Sequence, residues 1–325
     1  MIRRICRLLA ASLFWIAVQV GAQPNAAYHV AWVSLDQAAS NSPLFAAFRA
    51  GMADLGYVDG KNLKIDAWWG EGSIERLEML TSKILLSRPD VIVAQGGVAL
   101  GALLHSGVTK PVVFGMSADP VEAKIASSYA RPGGNVTGIT LFAAELVGKR
   151  LELIKEVVPG ARRIAIIANP NHPGEQRELQ SAREAAAKLG LTLRHFPVQT
   201  VSELDAALAE IAKSRMEAAL VFSDGFALGA ADRIAEFSLR NRIAVFAGWA
   251  PFAQRGNLLA YGPEFADVYR RLATYVDRIR KGARPGELPV EQPTKFELVI
   301  NLKTAKALDI KIPQSLLLRA DEVIQ

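Results

Sequence analysis

Cysteine is almost absent from this 325-residue sequence. Its single cysteine, Cys6, lies in a basic segment at the N-terminus. A chain without a second cysteine forms no internal disulfide and offers no cysteine cluster to a metal ion. Its stability must therefore come from buried apolar cores, and about 300 residues are enough for two of them.

Long apolar runs are also missing, except at the N-terminus. Three arginines within residues 1–7 precede an apolar stretch, residues 8–20. Since a membrane-spanning helix needs roughly 20 apolar residues, the pattern favours a signal peptide, residues 1–22, cleaved near Ala22, over a membrane anchor. Cys6 precedes the apolar stretch, so we expect no lipid attachment. The sequence predicts an exported, periplasmic protein.

A large excess of one charge is lacking as well. The formal net charge is +6, and removal of residues 1–22, which hold three arginines and no acid, leaves about +3. Acidic and basic residues are interspersed along the chain. A small, mixed charge argues against nucleic acid or a membrane surface as partner.

Residue groupings typical of catalysis or metal binding are scarce too. No pair of histidines has ligand spacing, and we expect surface or loop positions for His29, His105, His172 and His195. The glycine turn around Gly96 lacks the Lys-Ser/Thr of a phosphate-binding loop, and no G-x-S-x-G motif is present. We therefore expect no enzyme activity, no metal and no cofactor.

Along most of the sequence, short apolar runs alternate with amphipathic segments of 10–17 residues. This pattern predicts βαβ units and parallel sheets. Four such units lie on each side of residues 130–140. The predicted fold class is therefore α/β, with two doubly wound parallel-sheet lobes joined by a multi-strand hinge.

Two stretches rich in glycine and proline interrupt the alternation, residues 130–140 and 256–265. We interpret them as links at which the chain crosses between lobes, an ordinary surface loop being the alternative for the first. Glycine tolerates the dihedral changes that a hinge must absorb. The candidate hinge residues are Gly133, Gly134, Gly138 and Gly262.

The links divide the chain into a first lobe, residues 23–138 with about 262–284, and a second lobe, residues 139–261. An amphipathic helix over residues 266–282 is expected to return to the first lobe. Residues 285–325 form a tail that is expected to pack across the lobes, and the sequence leaves its lobe open.

Ligands of open α/β sheets bind beyond the carboxyl ends of the strands. The loops at those ends and the strand ends themselves hold the candidate ligand-binding residues Ser34, Asp36, Trp68, Gln95, Gly96, Ser117, Asp119, Thr140, Asn169, Glu175, Ser223, Asp224, Trp249 and Tyr261. Helix N-termini there favour a carboxylate, Asp119 or Asp224 suits an ammonium group, and the aromatic rings can stack on the ligand. Capping of a helix is the alternative role for Asp119 and Ser223.

Several segments carry a family resemblance, among them "RPDVIVAQGG", "ARPGGNVTGIT" and "LLAYGPEFADVYRRLATYVDRIRKGARPGELPVEQPTKFELVINLKTAKALDIKIP". Together they resemble the substrate-binding proteins of ABC transporters of the TrpX-like type, over residues 28–325. The resemblance implies a periplasmic-binding-protein-like fold, a ligand in the cleft between the lobes, and delivery to a membrane permease driven by a separate ATPase.

The resemblance also implies a small organic solute as ligand, with an aromatic amino acid or another aromatic compound as the expected class. We expect a monomer. A periplasmic sensor that presents its ligand to a receptor is the alternative function, and an enzyme on the same scaffold is a more distant one.

Overall fold

The computed structural model describes residues 27–36, 42–141 and 143–325. The predicted signal peptide lies outside the described residues. Within them the strands form two separate sheets, one of five strands and one of seven. We call the elements packed on the five-stranded sheet the first lobe and those packed on the seven-stranded sheet the second lobe.

The sheet of the first lobe is entirely parallel, in the order β2-β1-β3-β4-β5. Its central strands are continuous apolar runs, as expected for strands covered by helices on both faces. The strands are β1 (Tyr28–Ser34), β2 (Leu63–Trp69), β3 (Val91–Gln95), β4 (Val112–Met116) and β5 (Val136–Thr140). The connecting helices are α1 (Pro43–Asp54), α2 (Ile74–Leu86) and α3 (Gly97–His105).

The sheet of the second lobe has the order β12-β11-β10-β9-β8-β6-β7 and is parallel except for the antiparallel pair β10–β11. Its strands are β6 (Arg163–Ala168), β7 (Thr192–Pro197), β8 (Ala218–Val221), β9 (Ala244–Ala247), β10 (Leu259–Pro263), β11 (Phe296–Asn301) and β12 (Glu322–Ile324). Its helices are α4 (Ala143–Val157), α5 (Glu175–Leu189), α6 (Val201–Lys213), α7 (Gly225–Gly229), α8 (Ala231–Asn241), α9 (Ala250–Gln254), α11 (Leu302–Leu308) and α12 (Gln314–Leu317).

The remaining helix, α10 (Phe265–Arg280), follows β10 of the second sheet but packs on the first lobe, against α1 and β4. Its apolar face buries Val268, Leu272 and Val276 at helical spacing. The chain then runs along β5, where the Glu291 N–H donates to the Gly138 oxygen at 3.0 Å, before it enters β11. Three segments therefore join the lobes: one after β5, one after β10 and one before β11.

Two boundaries differ from those expected from the sequence. β5 stays in the first sheet up to Thr140, beyond residue 138, because its register with β4 continues to Met116. Residues 259–263, expected to be part of a link, form β10, whose ladders with β9 and β11 hold it inside the second sheet. Proline has no N–H to donate to a neighbouring strand, but Pro263 is the last residue of β10 and so does not interrupt it.

The tail is divided between the lobes. Residues 285–291 lie against β5, whereas β11, α11, α12 and β12 belong to the second lobe, where Leu298, Ile300 and Leu316 join its apolar core. The sequence left this assignment open because an apolar face does not specify which of two cores it covers.

Among the predicted hinge glycines, Gly133 and Gly134 adopt positive φ angles in the turn before β5. Gly138 lies inside β5, and a Cβ there would run into the backbone of Phe114. Gly262 is in β10, against the carbonyl of Gly248. The last two glycines allow close approach of two backbones, and the hinge role of all four stays a prediction.

Candidate functional site

The carboxyl ends of strands from both sheets face one another across a small cavity. The first lobe lines it with residues after β1, β3 and β4, and the second lobe with residues after β6, β8 and β9. The cavity volume is about 30 Å³, which is room for about two water molecules. The lobes thus lie close together and leave only a small space between their strand ends.

Close contacts between the lobes surround this cavity. Ser117, after β4, is hydrogen-bonded to His172 Nε2, after β6. A Cβ added to Gly97 in the first lobe would lie only 3.0 Å from the ring of Pro173 in the second. At the rim, Arg177 Nε is 3.6 Å from Glu122 Oε1. The absence of side chains at the glycine positions allows the lobes to approach this closely.

The hydrogen bond of His172 fixes its protonation. Its Nδ1 accepts a hydrogen bond from the Gly174 N–H at 3.2 Å, so Nε2 carries the proton and donates to Ser117. Burial lowers the pKa of His172 to about 4. This histidine is therefore a neutral group that links the lobes. It lies in a loop, which was one of its two expected positions, but it is buried there and not on the surface.

The polar groups of the first lobe in the cavity are Asp36 and Gln95. Gln95 Nε2 donates to Asp36 Oδ2, and the Asp36 N–H donates to Ser34 Oγ at 3.0 Å. Gln95 is only 7% exposed, and its Oε1 has no hydrogen-bond partner within residues 27–36, 42–141 and 143–325. Burial raises the pKa of Asp36, against the opposing effect of its hydrogen bonds with Gln95 and Ser34.

The carboxylate of the second lobe, Asp224, is held differently. Its Oδ1 caps α7 by accepting from the Ala227 N–H at 2.7 Å, and its Oδ2 accepts from Asn169 Nδ2 at 2.6 Å. Burial raises the pKa of Asp224 to about 6. Each oxygen thus already holds one donor, so Asp224 contributes fixed negative charge to the cavity wall.

An aromatic wall crosses from one lobe to the other. Trp249, after β9, stacks on Phe265 of α10 with ring centroids 4.3 Å apart and an interplanar angle of 19°. Phe265 meets Tyr269 edge to face at 5.1 Å, and the Tyr269 hydroxyl donates to the Gly115 oxygen at 3.0 Å. The three rings line the cavity and offer flat apolar surface to a ligand.

Behind the cavity, the second lobe buries a group of ionisable side chains. Arg150 of α4 donates from Nε to the Tyr261 oxygen at 2.9 Å and from a terminal nitrogen to the Ala143 oxygen at 3.3 Å. Glu178 Oε1 lies 3.5 Å from His172 Nδ1. Burial raises the pKa of Glu178 to about 8, although Arg150 opposes the rise.

The structure brings part of the predicted site together. Six of the predicted residues line the cavity, namely Asp36, Gln95, Gly96, Ser117, Asp224 and Trp249. Asp119 and Thr140 line a smaller neighbouring cavity, and Asn169, Glu175 and Ser223 lie behind the wall of the second lobe.

The structure gives several of these residues internal partners. Asp119 Oδ1 accepts from the backbone N–H groups of Val121 and Glu122. These residues form a turn and not a helix, so Asp119 does not have the alternative role of a helix cap. Ser223 Oγ accepts from the Gly248 N–H at 2.8 Å. Thr140, expected at the entry of the second lobe, ends β5 and donates to the Ala118 oxygen at 3.1 Å.

Three predicted residues do not reach the cavity. Ser34 is fully buried beneath Asp36. Trp68 packs on the core of the first lobe, and its buried indole N–H has no partner in the described part of the chain. Tyr261 packs on the core of the second lobe and contributes its carbonyl to Arg150.

Sequence reasoning missed His172, Phe265 and Tyr269. Phe265 lies two residues beyond the end of β10, and that position was the available signal for it. Tyr269 lies one turn inside α10, where the strand-end rule does not reach it. His172 does follow a strand, β6, and its position in a polar loop beside Asn169 was the available signal.

Within the described residues, no group of three or more His, Cys, Asp or Glu side chains is arranged to hold a metal ion. No helix in that part of the chain is long and apolar enough to cross a membrane.

Two α/β lobes whose strand ends meet at a closed cleft define a two-lobe solute-binding protein of the periplasmic-binding-protein type. The family described as ABC transporter substrate binding protein matches residues 38–324. The chain belongs to this family, which confirms the resemblance stated from the sequence.

Individual relatives agree with the family and the fold. A tyrosine-binding protein of Clostridioides difficile is 25% identical over 264 residues, which are 81% of this chain and 76% of the relative. A domain from Streptococcus pneumoniae, solved in complex with L-Trp, has 23% identity and a TM-score of 0.84 over 92% of this chain and 100% of that one. A conserved domain protein from Vibrio cholerae has 26% identity and a TM-score of 0.85, over 91% and 99%.

Proposed function

We propose that this chain is the exported component of an ABC importer, that it captures an aromatic amino acid or a related aromatic compound between its lobes, and that it delivers this ligand to the permease. One observation carries the proposal: the cavity between the lobes joins an aromatic wall to buried polar groups. Relatives named for tyrosine binding and solved with L-Trp support the same ligand class.

Each part of an aromatic amino acid has a complementary group in the cavity wall. The ring suits Trp249 and Phe265, and the ammonium group suits Asp36 with Gln95. The carboxylate suits the N-terminus of α3, where Gly97 begins the helix and backbone N–H groups have no partner within the helix.

The mechanism follows from the division of these groups between the lobes. A ligand that touches both lobes does so only in the closed form, so its higher affinity for that form shifts the population toward closure. A micromolar ligand has about 8 kcal/mol of binding free energy to divide between closure and net affinity. The lobes touch around a small cavity, so we expect them to separate for the ligand to enter and to close again around it.

Export is supported by the N-terminal sequence, in which arginines precede an apolar stretch shorter than a membrane span. Mass spectrometry of the protein purified from the periplasm of an expression host tests this step. Loss of residues 1–22 is the expected result, and a retained N-terminus contradicts export by a cleaved signal.

Ligand capture is tested by calorimetry and X-ray scattering of that protein with tryptophan, tyrosine and phenylalanine. At one hundred times its dissociation constant a ligand adds roughly 2.7 kcal/mol of stability, and the radius of gyration is expected to fall as the lobes close. An unchanged radius with a tightly bound ligand contradicts the closure mechanism.

Uptake of the labelled ligand in a strain without this gene tests delivery to the permease. Unchanged uptake favours the sensor alternative.

A further inference from the structure

The charged side chains that line the cavity all carry one sign, although the buried cation Arg150 lies behind the wall of the second lobe. Asp36 and Asp224 are the acidic residues that line it, and no Lys or Arg is among the described lining residues. The nearby segments outside the described residues, 37–41 and 142, contain no Lys or Arg in their sequence either. His172 adds no positive charge because its ring is held neutral.

The hydrogen-bonding groups that Asp36 and Gln95 leave available to a ligand are acceptors. The amide of Gln95 is oriented by Asp36, since its NH₂ group must face the carboxylate. This orientation leaves Oε1 as a buried acceptor without a partner among the described residues, a state that is unfavourable unless a ligand supplies a donor. Asp36 Oδ1 lies beside Gly225, where no side chain intervenes.

We propose, on the basis of the proposed function, that a cationic amine is the obligatory group of the ligand and that a carboxylate is dispensable, so that this cleft binds aromatic amines as a class. Two carboxylates and an unpaired amide oxygen attract a group that brings both positive charge and several N–H donors. A primary ammonium next to an aromatic body has both features.

The same cavity wall stabilises the carboxylate of an amino acid much less than its ammonium group. Its favourable partner is the N-terminus of α3, whose dipole amounts to roughly half a charge. Asp36 and Asp224 lie on the same cavity and repel it. Removal of the carboxylate from the ligand therefore loses a weak attraction and relieves a repulsion.

Three ligands that share one ring separate the two groups: tyrosine, tyramine, and 3-(4-hydroxyphenyl)propionate. Calorimetry on the protein purified from the periplasm is repeated with the matching indole set of tryptophan, tryptamine and indole-3-propionate. In at least one set we expect the amine to bind within about tenfold of the amino acid, and the acid at least about 30-fold more weakly than the amine.

The outcomes distinguish this inference from the proposed function. Binding of the amino acid with an amine more than tenfold weaker overturns the inference and leaves the proposed function intact. Binding of the acid as strong as that of the amine does the same. Failure of all six compounds to bind overturns both.

A variant tests the assigned group. Asp36→Asn keeps the shape and removes the charge, and we expect affinity for the amine to fall at least about 30-fold while affinity for the acid does not fall. Asp205→Asn, which removes an exposed carboxylate paired with Arg233, is the matched control and should change neither value. An unchanged ratio of amine to acid affinity in a folded Asp36→Asn protein overturns the assignment.

Discussion

The two lobes bring different kinds of polar group to the same cleft. The second lobe places a dense buried group behind its wall, in which Arg150 and Asp224 each make two hydrogen bonds within the protein. The first lobe presents Gln95 in the cavity lining, and its Oε1 has no hydrogen-bond partner among the described residues. Glu175 Oε1 and Glu178 Oε2 of the second lobe also have none there, but they lie behind the wall and do not line the cavity. Hydrogen bonds already made inside the protein support the wall, whereas an unfilled acceptor attracts a ligand. We infer that the second lobe supplies rigidity and the first lobe supplies selectivity.

The largest expected effect comes from breaking the buried group of the second lobe. Arg150→Met removes two hydrogen bonds from a charged donor to buried carbonyls, and we expect the free energy of unfolding to fall by about 3 kcal/mol or more. Chemical denaturation measures it. The control Arg240→Met removes a guanidinium that is 73% exposed and should lower stability by less than about 0.5 kcal/mol. Equal effects of the two variants would refute the structural role of Arg150.

The next effect concerns the contact between the lobes. Gly97→Ala places a methyl group 3.0 Å from the ring of Pro173, whereas Gly101→Ala in the same helix meets open space. We expect roughly tenfold weaker ligand binding for the first variant, because about 1.4 kcal/mol of the closed form's advantage is lost, and no change for the second. Calorimetry with the best ligand measures both. Gly225→Ala, with Gly229→Ala as its control, probes a second contact between the lobes, in which Gly225 faces Asp36 Oδ1. Equal affinities within both pairs would show that closure is looser than the structure indicates.

The titration of Glu178 sharpens the comparison further. The folded state holds its proton up to a pKa of about 8, and an exposed glutamate loses it near 4.5. Since the folded state binds the extra proton, this contribution to stability is complete below pH 4.5 and is lost as the pH rises through 8.

Above pH 7 this contribution should not be masked by His172 or Asp224, whose pKa values in the folded state are about 4 and about 6. Burial raises the pKa of Glu297 to about 7, so Glu297 adds a slope of the same sign near pH 7, and only the part of the slope that Glu178→Gln removes belongs to Glu178. We expect stability to fall between pH 7 and 8.5 by at most about 1.4 kcal/mol per pH unit. Glu178→Gln should flatten the profile, and Glu184→Gln, on the exposed face of the same helix, should not. Denaturation at three pH values measures how the free energy of unfolding changes with pH. If the slope remains in Glu178→Gln, it is caused by another titrating group.

The smallest effect is expected at the rim, where neither lobe buries its charge. Arg177 and Glu122 pair across the cleft at 3.6 Å with both side chains 52% exposed. Arg177→Ala should change stability by less than about 0.5 kcal/mol, because exposed pairs are screened by water and salt. Ligand affinity should change less than twofold. A tenfold loss of affinity would place part of the binding energy at the rim.

Local sequence was informative wherever neighbours along the chain decide structure. The apolar run of β3 and the Ser73 cap of α2 are examples of strand and helix signals that the structure follows. Asp36 and Gln95 were found by a rule that needs only the end of a strand. Trp68 satisfied the same rule and still points into the core, because strand position alone does not fix which face a side chain takes when both faces are apolar.

The sequence by itself determined the class of fold, two sets of βα units, and the family, because hydrophobic periodicity and motifs are properties of contiguous segments. Only the tertiary structure decided that α10 brings Phe265 and Tyr269 to the cleft and that His172 links the lobes. It also decided that the tail completes the second sheet. These arrangements depend on which distant surfaces bury each other. That choice is made by packing between segments far apart in the chain, and no local pattern encodes it.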